Sequence, residues 1–61
     1  MCEFKVKLNG KQVFEDAIYA KESSGVLILK NILGETRELK KCRIVELDVQ
    51  KEELILAEIE P

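Results

Sequence analysis

Cys2, Phe4, Val6 and Leu8 alternate with Glu3, Lys5 and Lys7, a period of two that predicts a half-buried strand. Asn9-Gly10 follows, and because both residues tolerate positive φ the pair predicts a tight hairpin turn. Val13 and Phe14 resume an extended segment that runs on through Ala17-Ile18-Tyr19-Ala20, and Ser23-Ser24-Gly25 reads as a second turn. From Val26 to Ile32 the chain is apolar on both faces, which suits a central strand or one covered by a partner. Leu33-Gly34-Glu35 marks a third turn before a short return strand from Thr36 to Leu39.

The C-terminal third allows two readings. Glu, Lys and Leu favour a helix over Gln50 to Glu60. The β-branched residues Ile44, Val45, Val49, Ile55 and Ile59 favour strands, which is the preferred reading, with the helix left open. One strand then carries Arg43, Val45, Leu47 and Val49 on one face with Ile44, Glu46 and Asp48 on the other. Gln50 to Glu53 turns the chain, and Glu53 to Ile59 forms the last strand. Five to seven short strands, with turns every eight to ten residues, predict an all-β domain. The architecture expected is a small barrel or a rolled antiparallel sheet. No internal repeat or linker interrupts it, so residues 1–61 read as a single domain.

Size sharpens the picture. A 61-residue chain buries only about 60% of the surface its unfolded form exposes, so a disulfide, a metal or a partner subunit usually supports it. Two cysteines allow one disulfide at most. No basic segment precedes an apolar run in the manner of a signal peptide. The longest apolar runs, Val26–Leu29 and Leu54–Ala57, fall far short of the ~20 residues that span a bilayer. A cytoplasmic chain with reduced thiols is expected, with no membrane partner. A metal or a second copy is left as the support.

Charge and composition then narrow the chemistry. Ten Lys and Arg face twelve Asp and Glu, a net charge of −2, and from Glu46 onward the acids outnumber the single base Lys51. Nucleic-acid binders present a basic face, so composition argues against that partner. Phe4, Phe14 and Tyr19 are too few, and too poorly framed by bases, to build a stacking platform. Histidine is absent, which removes the commonest general base and the commonest metal ligand together. Ser23 and Ser24 sit in a turn with nothing to activate them. Glu15-Asp16 and Glu52-Glu53 are sequence neighbours that point opposite ways on a strand. The three glycines are scattered turn residues. The chain is not expected to be an enzyme.

Cys2 stands apart because of its position. The Met1 amine, the deprotonated Cys2 amide nitrogen and the Cys2 sulfur can close two five-membered chelate rings. With Met1 removed, the Cys2 amine and thiolate still close one. Two such termini meeting across a dimer axis would present nitrogen and sulfur in a plane, which suits Ni(II) or Cu(II) rather than tetrahedral Zn(II). Equally, Cys2 can be a small apolar residue opening a strand in phase with Phe4 and Val6. Cys42 lies among Lys40, Lys41 and Arg43, cations that would lower its pKa if it were exposed. A buried thiol at a strand start is the expected state.

The residues also carry a resemblance. Met1-Cys2 opening a strand, Asn9-Gly10, the acidic pair before Ala17-Ile18-Tyr19, Ser24-Gly25-Val26, and Arg43 to Asp48 before a last apolar strand together resemble the CooT family. These are small carbon monoxide dehydrogenase accessory proteins, some of whose members are also labelled predicted RNA-binding proteins. The resemblance spans nearly the whole chain and includes its length. It implies an Sm-like small β-barrel, a homodimer, and one Ni(II) shared near the dimer axis. The ligand implied here is Cys2, with backbone and terminal (Met1) nitrogen as companions. The role implied is holding or delivering nickel for maturation or sensing of a nickel enzyme such as carbon monoxide dehydrogenase. An Sm-like RNA-binding module is the alternative. No family role falls on Cys42.

Overall fold

A computed structural model describes residues 3–59. Six strands and no helix make it up: β1 (Phe4–Leu8), β2 (Lys11–Ser23), β3 (Val26–Asn31), β4 (Thr36–Lys40), β5 (Cys42–Asp48) and β6 (Glu53–Glu58). The all-β expectation holds and the C-terminal segment is strand rather than helix; of the two architectures expected the sheet is the rolled one and not a closed barrel, and it is mixed rather than purely antiparallel. The strands form a single sheet in the order β4-β3-β2-β1-β6-β5. Four of the pairings are antiparallel, while β1 and β6 run parallel, with Val6 beside Leu54 and Leu8 beside Leu56.

Local turn chemistry sets the hairpins. Asn9 and Gly10 adopt φ of 54° and 77°, and Ser24 and Gly25 adopt 50° and 77°. Paired positive φ is the hairpin geometry that matches the right-handed strand twist. The third turn is held by Asn31, whose Oδ1 accepts from the Leu33 and Glu35 amides, both at 3.0 Å. Its Nδ2 donates to Glu35 Oε1 at 2.7 Å. That fully bonded amide explains how a polar side chain is buried at the end of an apolar strand.

Bulges roll the sheet. The 13-residue strand β2 pairs with β1 in its first half and with β3 in its second. Between the halves Asp16 takes φ of 56°, and the register shifts on both sides of Ala17. An extra residue on one strand sharpens the local twist and bends it, so β3 and β4 fold back over β1 and β6. Val6, Leu27 and Leu29 are then fully buried, with Phe14, Ala17, Leu54 and Leu56 packed around them. Full burial of each such side chain contributes about 1.5–3 kcal/mol.

A second bulge corrects the faces expected for residues 43–49. Ile44 pairs with Leu56, Glu46 with Ile55 and Leu47 with Leu54, so Val45 is the extra residue. One added residue reverses the pleat beyond it. Ile44 and Leu47, expected on opposite faces, therefore share the inner side.

The rolled sheet closes at one end only. Where β5 begins, the Cys42 amide donates to the Gly25 carbonyl at 3.1 Å. The Ile44 amide donates to Glu22 Oε1 at 2.6 Å, a carboxylate standing where a strand carbonyl would be. Beyond Ile44 the two edges part and the sheet is open.

Candidate functional site

The start of β1 is the place to which the N-terminal donors attach. Phe4 pairs with Ala17 on the inner side, half-buried against the core. The Lys5 amide donates to the Glu52 carbonyl at 2.9 Å, which fixes the β5–β6 turn beside this end of the strand. On the outer face Lys7 Nζ meets Glu53 Oε2 at 2.8 Å. The hydrogen bond from Lys7, aided by the charges of Lys7, Lys51 and Lys5, holds the Glu53 carboxyl below its ordinary value of 4.5. Strand β1 is thus anchored on both sides up to the point where residues 1 and 2 begin.

Beside this end lies an apolar trough of about 280 Å³ between β2 and β5. Phe4, Ala17 and Leu54 form its floor, Ile44 and Leu47 one bank, and Ile18 to Ala20 the other. Its origin is the missing closure. Ala20, paired with Leu29, and Leu47, paired with Leu54, both occupy inner-face positions, yet Ala20 is exposed and Leu47 is 57% exposed. Nothing in the sequence pattern marks this trough, because it depends on which strands become edges.

A second groove is polar and is lined by Gln12, Glu15, Thr36 and Arg37, among others. Its strongest groups are used internally. Arg37 lies over the Phe14 ring at 5.5 Å and donates to the Val13 carbonyl at 3.1 Å, while Asn31 and Glu35 hold the turn. The aromatics do not gather into one surface: Phe4 faces inward, Phe14 is buried under Arg37, and Tyr19 stands outward beneath Lys30 at 4.8 Å. Cys42 is a buried thiol opening β5, as expected, with Sγ 3.5 Å from the Lys40 carbonyl.

Met1 and Cys2, the expected metal ligands, lie outside the described residues. Among the described residues no three Cys, Asp or Glu side chains gather as a metal site, and no helix is long and apolar enough to cross a membrane. The family described as CO dehydrogenase accessory protein CooT matches residues 1–57 of the 61. The chain belongs to the CooT family. Its coarse role follows: it is an accessory protein to CO dehydrogenase, with an enzyme as client. Comparison with curated proteins gives no match. The matched span takes in both Cys2 and every strand of the sheet except the last residue of β6, so the trough belongs to a CooT-family fold and is no appendage to it.

Proposed function

We propose that this CooT-family chain carries nickel for its client. Two copies hold one Ni(II) through the Cys2 thiolate of each, with the Cys2 backbone nitrogen and the Met1 amine as companion donors. The cargo serves maturation or sensing of a nickel enzyme such as carbon monoxide dehydrogenase. Family membership across residues 1–57 carries this reading. The donor set supports it: thiolate with amine and amide nitrogen is a planar, partly soft set suited to Ni(II). The chemistry the protein supplies is capture and release of the ion; no bond of a substrate is made or broken.

Titration of the untagged chain with a nickel(II) salt tests the proposal. One ion per two chains is expected, with a thiolate-to-nickel charge-transfer band in the near ultraviolet. Cys2→Ser should abolish the band, and Cys42→Ser should leave it unchanged. A band that survives Cys2→Ser and disappears with Cys42→Ser would move the site to the buried thiol and sink the reading. Intact mass shows whether Met1 is retained, and so whether each chain offers two chelate rings or one.

A further inference from the structure

The sheet has two edges, β4 and β5, and they differ in shape and in charge. We infer that β4 is a docking edge for an acidic, extended segment of another protein, which adds to the sheet as a further strand.

The backbone of β4 is free to pair. Ser23 and Val26 face each other across the tight turn at Ser24-Gly25 and so form a hydrogen-bonded pair. Strand alternation then turns the amides and carbonyls of Leu27 and Leu29 toward β4. The Asn31 amide, next in that series, donates to the Glu35 carbonyl at 3.0 Å, as the alternation requires. Arg37 and Leu39, the partners of Leu29 and Leu27, therefore bond β3. The amides of Thr36, Glu38 and Lys40 point away from the sheet, all three residues are exposed, and no strand among the described residues lies beyond them.

Edge β4 is also regular. Its pairs with β3 run from Val26–Lys40 to Lys30–Thr36 without a register shift. Edge β5 carries the bulge at Val45, and its Cys42 and Ile44 amides are bonded back to Gly25 and Glu22. A bulged and tied edge resists strand addition, whereas a regular one accepts it.

Charge identifies the partner. Lys40 stands on the outer face beside Val26, Lys30 is paired with Thr36, and Arg37 is on the inner face beside Leu29. Lys41 sits at the corner between β4 and β5. Glu38 is the single acid of the strand. Edge β5 instead carries Glu46 and Asp48 against Arg43, and the chain as a whole has a charge of −2, so the cationic edge is a local feature. Charged side chains keep neutral strands off an edge, while cross-strand pairs of opposite charge favour a strand that carries acids. The matching segment sets acids opposite Arg37 and Lys40, a neutral residue opposite Glu38, and an apolar one opposite half-buried Leu39. At the Lys40 end a dish of about 460 Å³, lined by Gly25, Val26 and Ile59 with Lys40 and Lys41, has room for one more apolar side chain beside an acid.

Other occupants fit this edge less well. A second copy in full overlap would set Glu38 against Glu38. A nucleic acid has no strand-spaced amides and carbonyls to offer, meets Glu38 in its path, and finds exposed Tyr19 already covered by Lys30 at 4.8 Å.

The probe is a blocked peptide of about ten residues built on the core Glu-Val-Thr-Glu-Thr, which runs antiparallel to residues 40 to 36. Its counterpart has Lys in place of Glu. On the untagged, metal-free chain the acidic peptide should bind about tenfold or more tightly than the basic one, and weaken as salt rises. Nuclear magnetic resonance should show the Thr36, Glu38 and Lys40 amides shifting and gaining protection from exchange, with the β5 amides unchanged. Glu38→Pro removes the central outward amide without touching the β3 ladder. It also removes an acid, so charge alone would strengthen binding, yet binding should be lost. Should that variant lose its β-sheet circular dichroism, Lys40→Glu makes the same test and should weaken binding about tenfold or more. Failure of the acidic peptide to bind, equal binding of the two peptides, or undiminished binding to a folded Glu38→Pro overturns the inference. So does polyuridylate that shifts these same amides at lower concentration than the acidic peptide does. Cys2→Ser separates the two proposals: it should lose nickel and bind the peptide as the wild type does, and loss of the peptide there would overturn the docking edge.

Discussion

The two ends of the rolled sheet solve the same problem differently. At the Gly25 end, β5 is tied back to the β2–β3 hairpin by the Cys42 and Ile44 amides, and the side chain beneath, Leu27, is fully buried. At the end where β1 begins, no strand among the described residues bridges β5 and β2, and inner-face residues such as Leu47 and Ala20 meet solvent. The sequence is equally apolar at both ends. The difference is that one end is finished by backbone and carboxylate hydrogen bonds within the chain, while the other shows no such bonds between β2 and β5 among the described residues. A 61-residue protein has little apolar surface to spare for closing a sheet at both ends.

The sharpest way to break this comparison is to truncate one leucine at each end. Leu27→Ala removes a fully buried side chain and should cost about 2–5 kcal/mol of folding stability. Leu47→Ala removes a side chain that is largely exposed within one copy, and surface truncations of that kind fall within about 0.5 kcal/mol. Urea denaturation at protein concentrations low enough to keep the chain monomeric should show a large loss for the first and almost none for the second. Equal losses at low concentration would mean that the trough is closed in solution.

How much of this contrast the sequence displays depends on how local its causes are. Asn9-Gly10, Ser24-Gly25 and Gly34 announce their turns because positive φ is a property of those residues themselves. Strand β1 is legible from Phe4, Val6 and Leu8, since one face packs on the core and the period of two survives. The bulges are not legible. Asp16 takes positive φ and Val45 becomes the extra residue because the sheet must coil to bury Leu27 and Leu29, a demand made by distant strands. The parallel pairing of β1 with β6 is likewise a matter of topology, and it makes β5 an edge. The trough follows from those non-local choices, so alternation alone separates Ile44 from Leu47 when the fold unites them. Cys2 is conspicuous by position, but its residue type alone fits a small apolar strand opener, and the proposed metal role comes from the family resemblance.

A smaller effect probes the closed end itself. Glu22 Oε1 accepts the Ile44 amide at 2.6 Å, the only side chain among the described residues that bonds a backbone amide across the β2–β5 seam. Glu22→Ala leaves that amide to water and should cost about 1 kcal/mol. Amide hydrogen exchange gives the more specific readout: protection should fall at Ile44 and Cys42, while Val6 and Leu29 keep theirs. If the seam amides exchange no faster in the variant, the carboxylate is not what closes this end.

The smallest effect belongs to the outer face near the open end, where Lys7 and Glu53 pair at 2.8 Å. The bond from Lys7 lowers the Glu53 pKa from 4.5, so between the two values the folded state binds fewer protons than the unfolded one, and stability rises with pH. The contribution is fully present above pH 4.5 and is lost as pH falls through the lowered value. Glu53→Gln should therefore lower the urea midpoint slightly at pH 7, by less than Glu22→Ala does, and the difference from wild type should vanish in strong acid. Raising the salt to 1 M should shrink it too, because an exposed pair is screened within about 3 Å at that ionic strength. Since Lys5 and the Glu52 carbonyl still hold β1 in the variant, neither nickel uptake nor the dimer should change. If dimer mass falls together with this pair, the anchoring of β1 depends on charge, and the open end owes its shape to the outer face as well as to the missing strand.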